Sequence, residues 1–202
     1  IKSYPVLKCS EHNAMITIES NQIQSNLESL IARIRKGQTL VYPTDTVYGI
    51  GCDATNKTAV KQVRDAKQRP DKPMSVIAPS QEWITKHFDV DKAVQDALDD
   101  LPGPYTYILR AKQPVVADNV APGRDSLGVR RPDHWITNLV KDLGKPIVTT
   151  SANISGEPTA NTVKDLPEAL TEHVDVAIDE GRIEGSASTV IDYTGDEPER
   201  VR

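Results

Sequence analysis

The chain contains 202 residues, of which 38% are hydrophobic and 26% are charged, a composition typical of a globular protein and not of a disordered one. A chain of this length can bury a core without a metal or a disulfide, and no repeat or linker divides it, so we expect a single domain over residues 1–202. The net charge of -5 argues against broad affinity for phosphate backbones. Any site for anions must therefore be local.

The cysteines and the hydropathy of the chain exclude further classes of protein. Cys9 and Cys52 form no CxxC motif and lack a companion histidine cluster, so neither a disulfide framework nor a zinc site is expected. No apolar run approaches the length of a membrane span, and the first residues lack the pattern of a secretion signal. These features predict a soluble, cytoplasmic protein that makes no membrane contact and holds no metal of its own.

The first predicted elements are a helix and a short strand. Apolar residues recur at helical spacing over residues 21–36, and Gly37 stands where such a helix would end. Residues 39–42 are predicted to form a buried strand, which Pro43 stops because proline has no N–H group to donate. We expect residues 43–46 to form a loop at the C-terminal edge of that strand, where open α/β sheets usually bind ligands.

A second helix is predicted to carry two cations toward the same region. Asn56 is a favourable cap for a helix that ends near Lys67 and Arg69, just before Pro70. The next apolar run is Met74 to Ala78. The two cations are thus expected to lie between a helix and the segment that follows it.

The rest of the chain is predicted to alternate between helices and strands. Helices are expected at 80–87, at 91–101, between a capping Asp133 and a terminating Gly144, and at 162–170. Strands are expected at 105–109, 127–130, 147–150, 174–178 and 188–192. We therefore predict an α/β fold in which a twisted mixed sheet is flanked by helices.

Two short segments indicate nucleotide chemistry. Lys67-Gln68-Arg69 and Ser151-Ala152-Asn153 supply two cations, a hydroxyl and an amide, which suit a site that binds a polyphosphate. Each segment taken alone also fits a structural role, because cations are favoured in the last turn of a helix and small polar residues form turns. The combination of the two makes nucleotide binding the leading hypothesis.

Other well-known nucleotide and hydrolase motifs are not supported. Gly49, Gly51 and Ala54 match the spacing of a dinucleotide-binding fingerprint, but Pro43 and the polar residues after it spoil the strand that should run into the first glycine. No GxxxxGK[ST] run occurs, which excludes a P-loop. The four histidines lie in unrelated contexts, so a hydrolytic triad is not expected.

Several segments occur together in an order that resembles the YrdC family. They are Gly37 to Gly49, Lys67-x-Arg69, Leu101 to Thr106, Gly128-Val129-Arg130, Ser151 to Gly156 and Ser188 to Asp192. The resemblance runs from about residue 21 to Arg202 and implies the YrdC-like fold, a mixed sheet with a central concave cavity. It also implies the activity of the TsaC-like branch, which joins L-threonine, bicarbonate and ATP into threonylcarbamoyl-adenylate and pyrophosphate for the t6A modification of tRNA.

The same resemblance assigns roles to individual residues. The positions that hold threonine are Thr44, Arg130, Thr149 and Ser188, and the guanidinium fork of Arg130 suits a carboxylate. The positions that bind ATP are Lys67, Arg69, Ser126, Ser151, Asn153, Thr159 and Arg202. Lys67 and Arg69 are the expected catalytic residues, because with a Mg²⁺ ion carried on the phosphates they would offset the charge of the transferring group. The implied partners are a TsaD-like threonylcarbamoyl transferase downstream and tRNA or double-stranded RNA.

Three alternatives stay open at the level of sequence. One is an RNA-binding member without synthase activity, whose basic lining would comprise Lys67, Arg69, Arg124, Arg130 and Arg131. Another is an enzyme that adenylates a different carbamate, and the third is the YciO-like branch of the superfamily. Some relatives carry a histidine after the KxR motif, whereas residues 74–78 here are Met-Ser-Val-Ile-Ala, so no threonine contact from a histidine is expected there.

Overall fold

A single ten-stranded mixed sheet organises residues 15–202, the part of the chain that the computed structural model describes. The strands are β1 (Ile16–Glu19), β2 (Leu40–Tyr42), β3 (Gly49–Gly51), β4 (Ser75–Ile77), β5 (Tyr105–Arg110), β6 (Ser126–Arg130), β7 (Ile147–Ser151), β8 (Val176–Asp179), β9 (Thr189–Asp192) and β10 (Glu199–Arg200). Their order across the sheet is β1-β8-β2-β3-β7-β4-β6-β5-β9-β10. Cys9 lies outside the described residues.

Helices cover both faces of this sheet. They are α1 (Ile23–Arg35), α2 (Lys57–Lys67), α3 (Gln81–His87), α4 (Lys92–Leu98), α5 (Ile136–Leu143) and α6 (Glu168–Thr171). Neighbouring strands run parallel in the pairs β1/β8, β8/β2, β4/β6 and β5/β9, and antiparallel in the others. The predicted α/β fold with a mixed sheet flanked by helices is confirmed.

Alternate residues of the central strands enter two separate hydrophobic clusters. Val76 and Val148 pack in the cluster that contains residues of α2, α3, α4 and α6, whereas their neighbours Ile77 and Ile147 pack with residues of α1 and α5. Successive side chains of a strand point to opposite faces, so this alternation places one cluster on each face of the sheet. Buried apolar side chains on both faces are the main source of stability for such a layered fold.

Most predicted elements are confirmed, and local chemistry explains their limits. The side-chain oxygen of Asn56 accepts hydrogen bonds from the backbone N–H groups of Thr58 and Ala59 and so caps α2 as predicted. Gly144 ends α5 with a positive φ of 74°. Gly49 and Gly51 lie in β3, antiparallel to β2, and not in a strand-to-helix turn.

Two predicted details are wrong, and four short strands were not predicted. Trp135 occupies the N-cap position of α5 without a side-chain cap, while the backbone N–H of Asp133 donates to Asp45 Oδ2 at 3.1 Å. The predicted helix over 162–170 is two short pieces, a 3₁₀ turn at Val163–Asp165 and α6, because Pro167 interrupts the helical hydrogen bonding between them. The strands that were not predicted are β1, β3, β4 and β10, of four, three, three and two residues. The residues of β4 were identified from the sequence only as part of an apolar run.

We predict that Gly51→Ala lowers the free energy of unfolding by about 2 kcal/mol or more. A Cβ atom at Gly51 would lie 1.8 Å from the backbone carbonyl oxygen of Val148, and backbone in the middle of the sheet has little room to shift. Gly195→Ala is the control, since its Cβ would come no closer than 3.7 Å to another heavy atom. Urea denaturation of both variants measures the difference, and equal stabilities would contradict the close approach.

Candidate active site

A cavity of about 240 Å³ lies on one face of the sheet. Alternate residues of four strands line the cavity, with the β9 set beginning one residue before the strand. They are Thr106 and Ile108 of β5, Ser126, Gly128 and Arg130 of β6, Thr149 and Ser151 of β7, and Ser188 and Val190 at β9. Because strand residues with this spacing share a face, the sheet itself brings these side chains together. The loop that follows β2 completes the wall with Thr44 and Thr46.

The absence of a side chain at Gly128 leaves space at the floor of the cavity. A Cβ atom at Gly128 would lie 2.3 Å from Ser75 Oγ and 3.4 Å from Thr106 Cγ2. Hydroxyl-bearing residues on the two neighbouring strands, Ser75 and Thr106, thus lie against the glycine, and Ser75 is paired in register with Thr149 across β4 and β7. Any larger residue at 128 would fill the space between them.

Four arginines line the cavity, and among residues 15–202 no aspartate or glutamate does. The arginines are Arg69, Arg124, Arg130 and Arg202. The other lining residues are mostly threonines, serines, glycines and small apolar residues. Such an excess of guanidinium groups over carboxylates suits an anionic ligand.

Arg130 is held in place by one carboxylate and keeps a donor free. Its Nη2 donates to Asp45 Oδ1 at 2.6 Å, and Nη1 lies 3.4 Å from Thr46 Oγ1. The Arg130 side chain is 7% exposed, and its buried Nε has no hydrogen-bond partner. Burial lowers the pKa of Arg130, and the charge of Asp45 opposes that shift. Asp45 therefore orients the guanidinium group while leaving it able to bind a second carboxylate.

Arg69 is half-buried and also keeps one donor without a partner. Its Nη2 donates to the carbonyl oxygen of Pro73 at 3.0 Å, whereas its buried Nε has no partner. Burial lowers the pKa of Arg69 most, and the nearby cations Arg64 and Arg202 lower it further. Positive charges that repel one another in this way would be relieved by a bound anion.

Arg202 reaches the cavity through Ser188. Its Nε donates to the carbonyl oxygen of Ser188 at 3.2 Å, and its Nη2 lies 3.4 Å from Ser188 Oγ. Ser188 Oγ also shares a hydrogen bond of 2.8 Å with Thr106 Oγ1. The last residue of the chain is thereby tied to two buried hydroxyls on the sheet.

Thr44 organises the loop after β2. Its hydroxyl oxygen accepts hydrogen bonds from the N–H groups of Thr46 and Val47 and donates to the carbonyl oxygen of Val47 at 2.7 Å. These local bonds form a tight turn of the type that threonine side chains favour. Gly185 packs against the same turn, because a Cβ atom there would lie 1.8 Å from the carbonyl oxygen of Thr46.

Lys67 lies behind the cavity wall and supports the Ser151–Asn153 turn. Its Nζ donates to the carbonyl oxygens of Ser151 at 2.5 Å and Asn153 at 2.8 Å, and to Asn153 Oδ1 at 3.0 Å. The hydroxyl of Ser151 also donates to Asn153 Oδ1, at 2.6 Å. Burial is the main cause, and the charge of Arg69 the second, of a pKa that is lowered to about 8 for Lys67. All three ammonium donors are therefore used on this turn.

The structure brings together most of the substrate-binding residues that were predicted from the sequence. Of the threonine-binding and ATP-binding candidates, those on the wall are Thr44, Arg130, Thr149, Ser188, Arg69, Ser126, Ser151 and Arg202. Lys67 and Asn153 lie directly behind Ser151. Thr159 is half-buried and is not among the residues that line the cavity, and neither is Arg131.

Several residues of the site were not nominated from the sequence. They are Asp45, Thr46, Ser75 and Thr106, which lie on the wall or support it. The polar alternation Ser126, Gly128, Arg130 within a strand is a signal that could have indicated a polar face on this sheet. No comparable signal marks Thr106, whose partner Ser188 is 82 residues away in the sequence.

Comparisons with known proteins place these features in context. A profile of the Sua5/YciO/YrdC family, described as telomere recombination, matches residues 32–202. A threonylcarbamoyl-AMP synthase of Vibrio campbellii is 35% identical over 166 residues, which cover 79% of this chain and 89% of that protein. A putative threonylcarbamoyl-AMP synthase of Methanocaldococcus jannaschii is 37% identical over 179 residues, which cover 87% of this chain and 84% of that protein.

Solved structures share the fold. The crystal structure of P. abyssi Sua5 complexed with L-threonine superimposes with a TM-score of 0.84 at 30% identity over 93% of this chain. This chain spans 56% of that Sua5 chain. The crystal structure of E. coli YciO gives a TM-score of 0.82 at 28% identity, covering 93% of this chain and 94% of that chain.

We predict that the stability difference between the wild type and Lys67→Met depends on pH. With its pKa lowered to about 8, Lys67 binds fewer protons in the folded state than in the unfolded state between pH 8 and its ordinary pKa of 10.5. The unfolding free energy of the wild type should therefore rise relative to Lys67→Met, by about 2 kcal/mol from pH 7 to pH 10.

Urea denaturation at several pH values tests this prediction. Lys61→Met is the control, because Lys61 lies on the same helix but is 71% exposed. A difference between wild type and Lys67→Met that stays constant with pH would show that burial does not perturb Lys67.

Proposed function

Because the chain belongs to the Sua5/YciO/YrdC family, we propose that it is a threonylcarbamoyl-AMP synthase, a nucleotidyltransferase that acts in tRNA modification. In this proposal, L-threonine, bicarbonate and ATP react in the cavity to form threonylcarbamoyl-adenylate and pyrophosphate. The relatives that carry this name cover most of the chain.

One observation supports the proposal most directly, the four arginines of a cavity that has no carboxylate on the described part of its wall. A triphosphate and an amino-acid carboxylate together bring a large negative charge, which such a wall would offset. Two of the arginines are buried or half-buried and retain an unpaired Nε. A buried donor without a partner is costly, so a ligand that accepts from it gains the corresponding free energy.

The threonine end of the site is assigned to Arg130 and the hydroxyl-rich floor. The free Nε of Arg130, beside the Nη2 that Asp45 holds, would donate to the carboxylate of threonine. Thr149 and Ser188 are buried and line the same space, where they could orient the amino and hydroxyl groups. The L-threonine complex of P. abyssi Sua5 supports this choice of amino acid.

The phosphate end of the site is assigned to Arg69, Arg124 and Arg202. These three line the cavity together with Ser126 and Ser151. Lys67 and Asn153 would act by fixing the turn that presents Ser151. Catalysis would rest on positioning and on charge neutralisation, since phosphoryl chemistry of this kind needs little covalent help from the protein.

The proposed reaction proceeds in two steps. The amine of threonine attacks bicarbonate, water leaves, and a carbamate forms. A carbamate oxygen then bonds to the α-phosphorus of ATP as the bond to the bridging oxygen breaks, and pyrophosphate leaves. Neither step requires a nucleophile from the protein, in keeping with a wall that carries no cysteine or histidine among the described residues.

Mg²⁺ would enter as the complex with ATP. Among residues 15–202, no group of three or more His, Cys, Asp or Glu side chains is arranged to hold a metal ion. The wall does offer hydroxyl oxygens, which fit an ion whose main ligands are phosphate oxygens and water. Bound in that way, Mg²⁺ would supply neutralisation of the phosphate charge.

The remaining parts of the proposal concern partners and location. The product would pass to a TsaD-like threonylcarbamoyl transferase, with tRNA as the final acceptor, in the cytoplasm. None of the helices between residues 15 and 202 has the length and hydropathy of a membrane span. Direct contact with tRNA or double-stranded RNA would involve the arginines at the mouth of the cavity.

We predict that Arg69→Ala lowers kcat/KM for pyrophosphate release by at least about 100-fold. The assay combines the protein with L-threonine, labelled bicarbonate, ATP and Mg²⁺, and detects both pyrophosphate and the labelled mixed anhydride. Arg33→Ala is the matched control, because Arg33 donates to Gln38 Oε1 at 3.0 Å and does not line the cavity.

Omitting or replacing threonine separates the proposal from its alternatives. Pyrophosphate release that does not depend on threonine would indicate a different carbamate as substrate. Salt-sensitive binding of tRNA without any threonine-dependent consumption of ATP would indicate an RNA-binding protein. Either result would contradict the synthase.

A further inference from the structure

Arg64 is a buried cation that takes no part in the cavity wall. It lies in α2, three residues before Lys67, and is 6% exposed. Among the described residues it forms no ion pair with a carboxylate, and its guanidinium group donates only to backbone carbonyl oxygens. Burial lowers its pKa, and Asp71 opposes that shift. A buried charge is tolerated where hydrogen bonds offset its desolvation, so the acceptors of Arg64 show which parts of the chain it holds.

The carbonyl groups that Arg64 binds belong to two loops. Nη1 donates to the carbonyl oxygens of Arg69 at 2.8 Å, Pro70 at 2.8 Å and Lys72 at 3.1 Å. On the other side, Nε donates to Asn119 at 2.6 Å and Nη2 to Val120 at 3.2 Å. One planar group thus joins residues 69–72 to residues 119–120.

Both loops lead directly into the cavity. The first carries Arg69 and continues to Pro73 and Met74, and the second continues to Arg124 and Ser126. The loops also meet each other, since the N–H of Met74 donates to the carbonyl oxygen of Val120 at 3.0 Å. Two of the four arginines on the wall therefore depend on segments that Arg64 holds together.

We infer that Arg64 is a positioning residue that sets the affinity for the polyphosphate by fixing Arg69 and Arg124 relative to each other. This inference rests on the proposed function in taking ATP as the ligand. Arg64 acts through the backbone and does not touch the nucleotide. Its positive charge adds to the potential near Arg69, whose pKa it lowers.

A lysine cannot replace Arg64 in this role. The guanidinium group spreads five N–H donors over a rigid plane, whereas an ammonium group offers three donors from a single atom. An ammonium group at this position would keep the charge but could not bridge carbonyl groups on opposite sides. Arg64→Lys therefore separates positioning from charge.

The test measures binding of ATP and of threonine separately by calorimetry, for the wild type, Arg64→Lys and Arg64→Gln. We expect Arg64→Lys to weaken ATP binding at least tenfold and to leave threonine binding within twofold, because Arg130 and Thr149 lie on strands that Arg64 does not contact. Arg33→Lys is the matched control and should change neither affinity. Arg64→Gln, which lacks the charge, should weaken ATP binding at least as much.

Amide hydrogen exchange provides a readout that does not depend on activity. Arg64→Lys should speed exchange in residues 69–74 and 119–126 and leave the strands unchanged. Unchanged ATP affinity in Arg64→Lys, or an equal loss of ATP and threonine binding, would overturn the inference. Wild-type protein that binds threonine and no ATP would instead overturn the proposed function, and faster exchange in the two loops would still show that Arg64 holds them.

Discussion

The site depends on positive charge that the described part of the chain neutralises only in part. Arginine side chains converge on one cavity, and within residues 15–202 one carboxylate pairs with them, that of Asp45, which accepts from only one nitrogen of Arg130. Arg69 feels the repulsion of two other cations as well as burial. The folded chain bears this unfavourable arrangement because its hydrophobic clusters on both faces of the sheet supply stability elsewhere. A bound anion would then supply the negative charge that neutralises these arginines.

Backbone carbonyl groups, and not carboxylates, hold the cations next to the cavity. Lys67 uses its ammonium donors on the Ser151–Asn153 turn, and Arg64 uses its guanidinium donors on two loops. Carbonyl dipoles fix the positions of these side chains without cancelling their charge. This solution gives both order and a positive potential, whereas ion pairs would have given order alone. The sheet contributes the other half of the site, since its alternating side chains and Gly128 leave a polar floor with open space above it.

Much of the fold could be predicted from the sequence, and the failures have physical reasons. The helix after Asn56 was predictable because cap, periodicity and terminal proline agree, whereas Asp133 looks like a cap but its backbone is used to bind Asp45. The candidate site residues could be identified from the sequence because they resemble known motifs, and most of them line one cavity. The residues that hold these side chains in place could not be identified from the sequence. Arg130 and Asp45 are 85 residues apart in the sequence. The sequence does not distinguish Arg64 from other arginines of an amphipathic helix, because its acceptors lie in loops that only the fold brings together.

The central claim is that free guanidinium donors in this cavity bind the anionic groups of the substrates. Parallel calorimetric titrations with L-threonine and L-threoninol, which differ only in the carboxylate, test it most directly. A charged hydrogen bond contributes about 1.5 to 3 kcal/mol, so threoninol should bind at least about tenfold more weakly than threonine. Equal affinities for the two compounds would contradict the account, because the carboxylate would then contribute nothing to binding.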